Sequence, residues 1–277
     1  MSGVITILHE PTDSEPFVVL SKPAGLASAP LNERESKNVL AECARLFPSV
    51  KNVKGKKAVE GGLLHRIDTA TSGLLLVAAS QEFYDHMIAA QEKGLFIKGY
   101  RADCDVNADN ANTLGAFPPL DAQTVAVTSL SCKQFVADNF LQAQNPAALC
   151  GLEISSYFRP FGKGSKEVRP VLPTSNVAAL KKIGSKKIYS TKIAKAELLD
   201  RSAAKLECKI AQGYRHQVRC HLAWLGFPVR GDRLYNSFCR EDSAADQAAA
   251  CGGMRFEASS LDFPDLFSDK TFRFALD

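Results

Sequence analysis

The sequence predicts a globular domain that mixes helices and strands. Three observations carry this. The chain has 277 residues, 45% hydrophobic and 23% charged, enough apolar material for a sizeable core. Alternating stretches at Phe96–Cys104, Tyr189–Leu199 and Lys205–Ile210 read as half-buried strands. Apolar residues recur at helical spacing after Ser36, after Ser80 and around Val218.

Taken in order, Phe17–Leu20 is a short apolar strand that ends in the turn Ser21-Lys22-Pro23-Ala24-Gly25. Ser36 opens a helix with Val39, Leu40, Cys43, Leu46 and Phe47 on one face, and Pro48 ends it. Lys51–Lys57 is a basic, Gly-containing run, read first as a solvated face and second as a phosphate contact.

His65-Arg66-Ile67-Asp68-Thr69-Ala70-Thr71-Ser72-Gly73 then leads into the uninterrupted apolar run Leu74–Ala79. Such a run is a buried strand or the start of a buried helix. An Arg and an Asp at its mouth are costly to desolvate unless paired. The alternative is a surface turn in which Asp68 caps the small residues after it. Next, Ser80 caps a helix carrying Phe83, Met87 and Ala90 inward, with Gly94 at its C′ position. The strand after it sets Phe96, Lys98, Tyr100 and Ala102 on one face, an odd set for a plain core.

From Asn107 to Gln144 the pattern fades. Tyr157–Arg169 interleaves aromatic and basic residues with glycines, as a loop that stacks on bases and neutralises phosphates would, or as a surface hairpin would. Lys181–Lys187 is a second basic cluster. Asp200-Arg201-Ser202 joins two strands as a hairpin. Val218, Leu222 and Leu225 mark the buried stripe of a helix that Gly226 ends, with Arg215 and Arg219 sharing the opposite face. His216 and Cys220 have helical metal-pair spacing but no partner pair, so no metal is expected. Met254–Ala258 and Lys270–Phe274 read as closing strands.

Four of these stretches resemble, in order, the motifs of the RluA/RsuA-type pseudouridine synthases. His65–Leu75 is similar to His-Arg-Leu-Asp-x-x-Thr-Ser-Gly-Leu-Leu, with Ile67 for Leu. Ser21–Gly25 resembles Asn-Lys-Pro-x-Gly, and Lys98, Tyr100 and Ala102 match Lys-x-Tyr-x-Ala. Gly213–Tyr235 resembles Gly-Arg-Thr-His-Gln-Ile-Arg-x-His-Leu followed by Gly-Asp-x-x-Tyr. In that last motif the family's Arg-Thr is Tyr214-Arg215 here, so one arginine has moved by a position.

The resemblance implies an α+β pseudouridine-synthase fold, a central mixed, mostly antiparallel bent sheet flanked by helices and loops. It implies one catalytic domain over residues 1–277, with an insertion at about 107–150. It also implies the chemistry: an RNA uridine, ribosomal or else transfer RNA, isomerised with no cofactor and no metal. Asp68 would be the catalytic carboxylate, as nucleophile at C1′ or as the base that removes the 2′ proton. Tyr100 would stack on the uracil and share in removing its C5 proton, and Arg219 would pair with Asp68. Arg66 would fill the space left by the flipped base. His65, Lys98, His216, Gln217 and Lys22 would complete the substrate-binding set. A silent RNA-binding or ribosome-assembly protein on the same scaffold is the other class to separate.

The totals agree with this. The net charge of +4 permits nucleic acid without demanding it. No apolar run approaches the ~18 residues that span a bilayer. Met1–Glu10 has no basic n-region, and too few residues precede Phe17 for an S4 domain, so a cytoplasmic monomer is expected. The eight cysteines form no C-x-x-C pair and are expected to be reduced thiols.

Overall fold

A computed structural model describes residues 4–30, 35–119, 149–240 and 251–277. They form two compact units, Met1–Tyr100 with Glu257–Asp277, and Arg101–Phe256. Most of the stretch expected as an insertion lies outside the described residues. Of the part that is described, Asn110–Leu114 is a short helix. The fold is mixed α/β with a central mixed sheet and few helices, as the resemblance implied.

In the first unit, strand β1 (Thr6–His9) pairs antiparallel with β2 (Phe17–Lys22). Strand β2 pairs antiparallel with β3 (Ser72–Ala78), from Phe17 opposite Ala78 to Lys22 opposite Gly73. The apolar run is therefore a strand, and Leu74 to Ala78 are wholly buried. That burial on both faces explains why it does not alternate. Strand β3 then pairs in parallel with β9 (Phe256–Pro264), Gly73 opposite Ala258. Strand β10 (Thr271–Ala275) closes antiparallel on β9. Gly73 sits at φ +112°, and a Cβ there would meet the Ala258 carbonyl oxygen at 2.2 Å. Only glycine permits the preceding loop to enter β3 this close to β9.

Two helices belong to this unit, and the second packs its buried face against the sheet. Helix α1 (Val39–Leu46) is capped by Asn38, whose side chain accepts from the Ala41 N–H. The expected start at Ser36 is thus two residues early: Asn38 also donates to the Glu35 carbonyl, so it holds both sides of the helix entry. Helix α2 (Gln81–Glu92) starts where expected, with Ser80 accepting from the Phe83 N–H at 3.2 Å. Gly94, at φ +72°, follows its end. Phe17 stacks on Phe83 and meets Phe263 and Phe272 edge-on, making the centre of the core.

Strand β4 (Ile97–Asp105) begins in the first unit and runs into the second. In the second unit β5 (Glu153–Phe161) and β6 (Glu167–Val171) form an antiparallel hairpin with a 3-10 turn, Lys163–Ser165, at its tip. Strand β7 (Tyr189–Asp200) pairs antiparallel with β5 on one side and with β8 (Ala203–Ile210) on the other. Helix α3 is Asn110–Leu114 and α4 is Val177–Leu180. Helix α5 (Gln217–Trp224) is buried on every side, so Arg219, expected on the face opposite the apolar stripe, lies inside as well, and Arg215 falls before the helix begins.

The cysteines depart from expectation at one place. Cys239 and Cys251 are joined by a disulfide, their Cα atoms 5.8 Å apart. A spacing of twelve matches no pairing motif. Cys43, Cys104, Cys208 and Cys220 are free and buried, and Cys150 is free and exposed. Cys132 lies outside the described residues. Among the described residues no helix is long and apolar enough to cross a membrane.

Candidate active site

The loop Ile67–Thr71 between the first helical region and β3 carries Asp68. Its own backbone closes it, with the Thr71 N–H donating to the Asp68 carbonyl at 3.0 Å. The segment after β2 holds it from outside. The Ser28 hydroxyl donates to the Ile67 carbonyl at 2.8 Å and accepts from the Ile67 N–H at 3.3 Å. The Gly25 N–H donates to the Thr69 carbonyl at 2.7 Å. Asp68 is therefore clamped one residue before and one residue after, while its own side chain remains partly exposed. Ser28 has no signal in the local sequence; only the fold brings it to Ile67.

Lys22 completes the clamp. Its side chain is fully buried, and its ammonium donates to the carbonyls of Pro23, Leu26 and Thr69 at 3.0, 2.8 and 3.1 Å. Burial pulls its pKa down to about 8, and the Asp68 carboxylate opposes that. A buried lysine with three carbonyl acceptors braces the loop.

Opposite the loop, β4 brings in Lys98 and Tyr100, both buried. Burial and the nearby Asp68 charge hold the Tyr100 phenol well above its ordinary range, so it is neutral. Lys98 donates to the Phe96 carbonyl at 3.1 Å and lies 4.2 Å from the Phe96 ring centroid. Burial lowers its pKa to about 8. His65 accepts from the Leu76 N–H at 3.2 Å through Nε2 and meets Phe96 edge-on. Burial, with Lys98 nearby, lowers it to about 3, so it is a neutral brace between the loop and β3. Arg66 points outward, with a side chain 52% exposed, and pairs with Glu60 at 2.8 Å.

The remaining predicted residues gather in the second unit. His216 sits at φ +58°, a left-handed conformation unusual for a residue with a side chain. It turns the chain into α5, and its Nδ1 lies 3.0 Å from the Tyr235 hydroxyl. Gln217 is buried; it donates to the Ser190 carbonyl and accepts from the Tyr214 N–H. Like Lys22 it braces the backbone around it. Arg219 is 5% exposed and makes a two-pronged pair with Asp232, Nε and Nη2 each 2.7 Å from a carboxylate oxygen. Asp232 also accepts from the Leu234 and Tyr235 N–H groups. The spacing reading had both residues in one motif but did not join them.

The charge reading of Tyr157–Arg169 changes too. Phe158 and Arg169 are fully buried, and Phe161 lies under the Arg169 guanidinium at 4.2 Å. These side chains hold the hairpin together and are not offered to bases. Among the described residues no group of three or more His, Cys, Asp and Glu is placed to hold a metal ion. His216 and Cys220 diverge, the thiol pointing to the Val168 carbonyl.

A family model described as RNA pseudouridylate synthase matches residues 16–224. The chain belongs to the RNA pseudouridylate synthase family. Two curated relatives of this family are both described as ribosomal large subunit pseudouridine synthase D. The one from Haemophilus ducreyi is 21% identical over 247 residues, covering 88% of this chain and 56% of the relative. The one from Zymomonas mobilis is 24% identical over 262 residues, covering 93% and 65%. The chain thus spans less than two thirds of the length of both. Among solved structures, Human RNA Pseudouridylate Synthase Domain Containing 4 is similar at a TM-score of 0.57 and 18% identity, covering 98% of this chain and 88% of the other. Human RNA Pseudouridylate Synthase Domain Containing 1 gives 0.55 and 15%, covering 99% and 83%. At these identities the structural likeness shows the family's fold alone.

The clamp around Asp68 has a pH consequence. Below about pH 8 Lys22 is charged and all three of its N–H groups are donated. Its folded pKa lies below the unfolded value of 10.5. Burial of the charge therefore costs stability below about pH 8, and that cost is relieved as pH rises toward 10.5. Activity should move the other way: loss of the proton removes one donor and slackens the Thr69 tether, so turnover should decline above about pH 8. In Lys22→Met this alkaline limb should flatten and turnover should already be low at pH 7, while RNA affinity is kept. An unchanged pH–rate profile in Lys22→Met would show that the tether does not matter to turnover.

Proposed function

We propose that the protein is an RNA pseudouridine synthase that acts on uridine in structured RNA, with ribosomal RNA as the first candidate. The observation that carries this is Asp68, a carboxylate on a loop clamped at Ile67 and Thr69, with Lys22 and Tyr100 within electrostatic reach. Two relatives described as ribosomal large subunit pseudouridine synthase D support the choice of RNA.

The isomerisation breaks the C1′–N1 bond and makes a C1′–C5 bond to the same uracil. The C5 proton leaves and N1 gains one, so there is no net redox change and no cofactor is called for. Asp68 is the carboxylate that acts at the ribose, and it must be ionised to do so. Arg219, oriented by Asp232, is the guanidinium that the family resemblance assigns to the chemistry. Tyr100 supplies a ring face for the extruded uracil. A phenol held neutral is a poor acceptor for the C5 proton, so we assign it stacking and not proton removal. Arg66, outward and held only by an exposed ion pair, is the side chain that enters the space the base leaves.

The test is tritium release from RNA labelled at uridine C5, using RNA from cells that lack the gene. Release by the wild-type protein, matched by pseudouridine in mass spectrometry after carbodiimide labelling, is the expected result. RNA binding without release would leave only a binding protein on this scaffold.

A further inference from the structure

The chain's positive charge is unevenly distributed. From residue 154 to 196 there are ten lysines and arginines and a single carboxylate, Glu167. That excess of nine exceeds the whole chain's +4, so the rest of the chain is net acidic. Glu167 cannot neutralise this stretch at its surface, because it is buried with its carboxylate 2.7 Å from Arg169. Lys163, Lys166, Lys181, Lys182, Lys186 and Lys187 are all exposed, and none has an ion pair among the described residues.

The fold gathers these six. Lys163 and Lys166 flank the tip of the β5–β6 hairpin. The other four lie on the loop between α4 and β7, whose Gly184 N–H donates to the Phe158 carbonyl on β5 at 2.8 Å. Both loops are held by one dipeptide, Tyr214-Arg215. Tyr214 stacks on Phe158, ring centroids 5.1 Å apart, and fills the space where a side chain at Gly184 would stand. Arg215 donates to the carbonyls of Ser165 and Glu167 at the hairpin tip. This is the pair whose order departs from the family's Arg-Thr, and here it works as a pin between two lysine loops.

We propose that this face binds the phosphate backbone of an RNA duplex beside the target uridine. The proposal rests on the pseudouridine-synthase reading for its substrate class. Phosphates, not bases, are the ligand because the rings that flank the hairpin tip are engaged inside: Phe158 is buried and Phe161 sits under Arg169. What the two loops hold out to solvent is chiefly lysine, a flexible point charge suited to phosphate and carrying no base readout. The face therefore supplies affinity and orientation but little sequence choice.

The test uses the full chain and a labelled RNA hairpin of generic sequence, titrated across a range of salt. Changing all six lysines to glutamine should weaken binding at least about tenfold at low salt and reduce the log–log salt slope by about four to five. The pairs Lys163→Gln/Lys166→Gln and the loop quartet, made separately, should each give part of the loss. They serve if the six-fold variant fails to fold. A control with Lys51, Lys54, Lys56 and Lys57 changed to glutamine should leave most of the slope. With the labelled substrate RNA, the six-fold variant should raise KM and keep kcat. Unchanged affinity and slope overturn the proposal, and so does an equal loss in the control, since charge number and not this face would then set binding. A wild type that binds with the expected slope yet releases no tritium would sink the enzymatic reading and leave this one standing.

Discussion

Replacing Asp68 by asparagine is expected to lower turnover by at least about a thousandfold, the scale lost when an acid–base or nucleophilic group is removed. RNA affinity should stay within about threefold, because the exposed lysines of the 154–196 stretch are untouched. The change is nearly isosteric, and the clamps on Ile67 and Thr69 are to backbone atoms, so the loop should keep its path. Lys22 gives a second readout. Asp68 is the charge that opposes the effect of burial on Lys22. Without it the lysine pKa should fall further below about 8, visible as an earlier proton loss in NMR titration of its side chain. Residual pseudouridine in the product of Asp68→Asn would remove this carboxylate from the central role. Loss of turnover with an unshifted Lys22 would instead mean that the two groups are not electrostatically coupled.

The parts of this design that were legible beforehand are those written in local pattern. The β3 run could be narrowed to a buried element from its lack of polar residues, though periodicity alone left strand and helix open until Phe17–Lys22 paired with it. The Ser80 cap and Gly94 were readable because capping chemistry lies within one helical turn. The start of α1 was misplaced because Ser36 and Asn38 are both good caps, and the structure chooses Asn38, which also holds Glu35. What needs the fold is contact across distance. Ser28 reaches Ile67 over 39 positions, and Lys22 reaches Thr69 over 47. The motif likeness picked out Lys22 but not what it does: a lysine in a motif suggests a ligand, and only burial with three carbonyl acceptors shows a brace. The aromatic and basic composition of Tyr157–Arg169 is equally compatible with a loop that stacks on bases and with a hairpin that buries its rings. Composition does not report on which side of the pleat each residue falls, and here Phe158 and Arg169 fall inside.

Arg219 joins stability and activity, and the two can be separated. In Arg219→Ala the Asp232 carboxylate, wholly buried, loses both guanidinium hydrogen bonds and keeps only the Leu234 and Tyr235 N–H donors. Leaving such a charge buried and unpaired costs about 3–5 kcal/mol, so the urea midpoint should fall markedly. Asp232→Ala should cost a similar amount by stranding the guanidinium. Replacing both by apolar residues of like volume, Arg219→Met with Asp232→Leu, removes both buried charges. It should recover much of the lost stability, since a buried pair seldom outcompetes good packing. Turnover is where the two accounts of Arg219 divide. If Arg219 serves only to bind Asp232, the double variant should regain activity together with stability. If it also serves the chemistry, as proposed, the double variant should fold well and remain about a hundredfold or more down in kcat, the scale of one lost charge-stabilising donor. Near-normal turnover in a stable Arg219→Met/Asp232→Leu protein would therefore confine Arg219 to the architecture of its own unit.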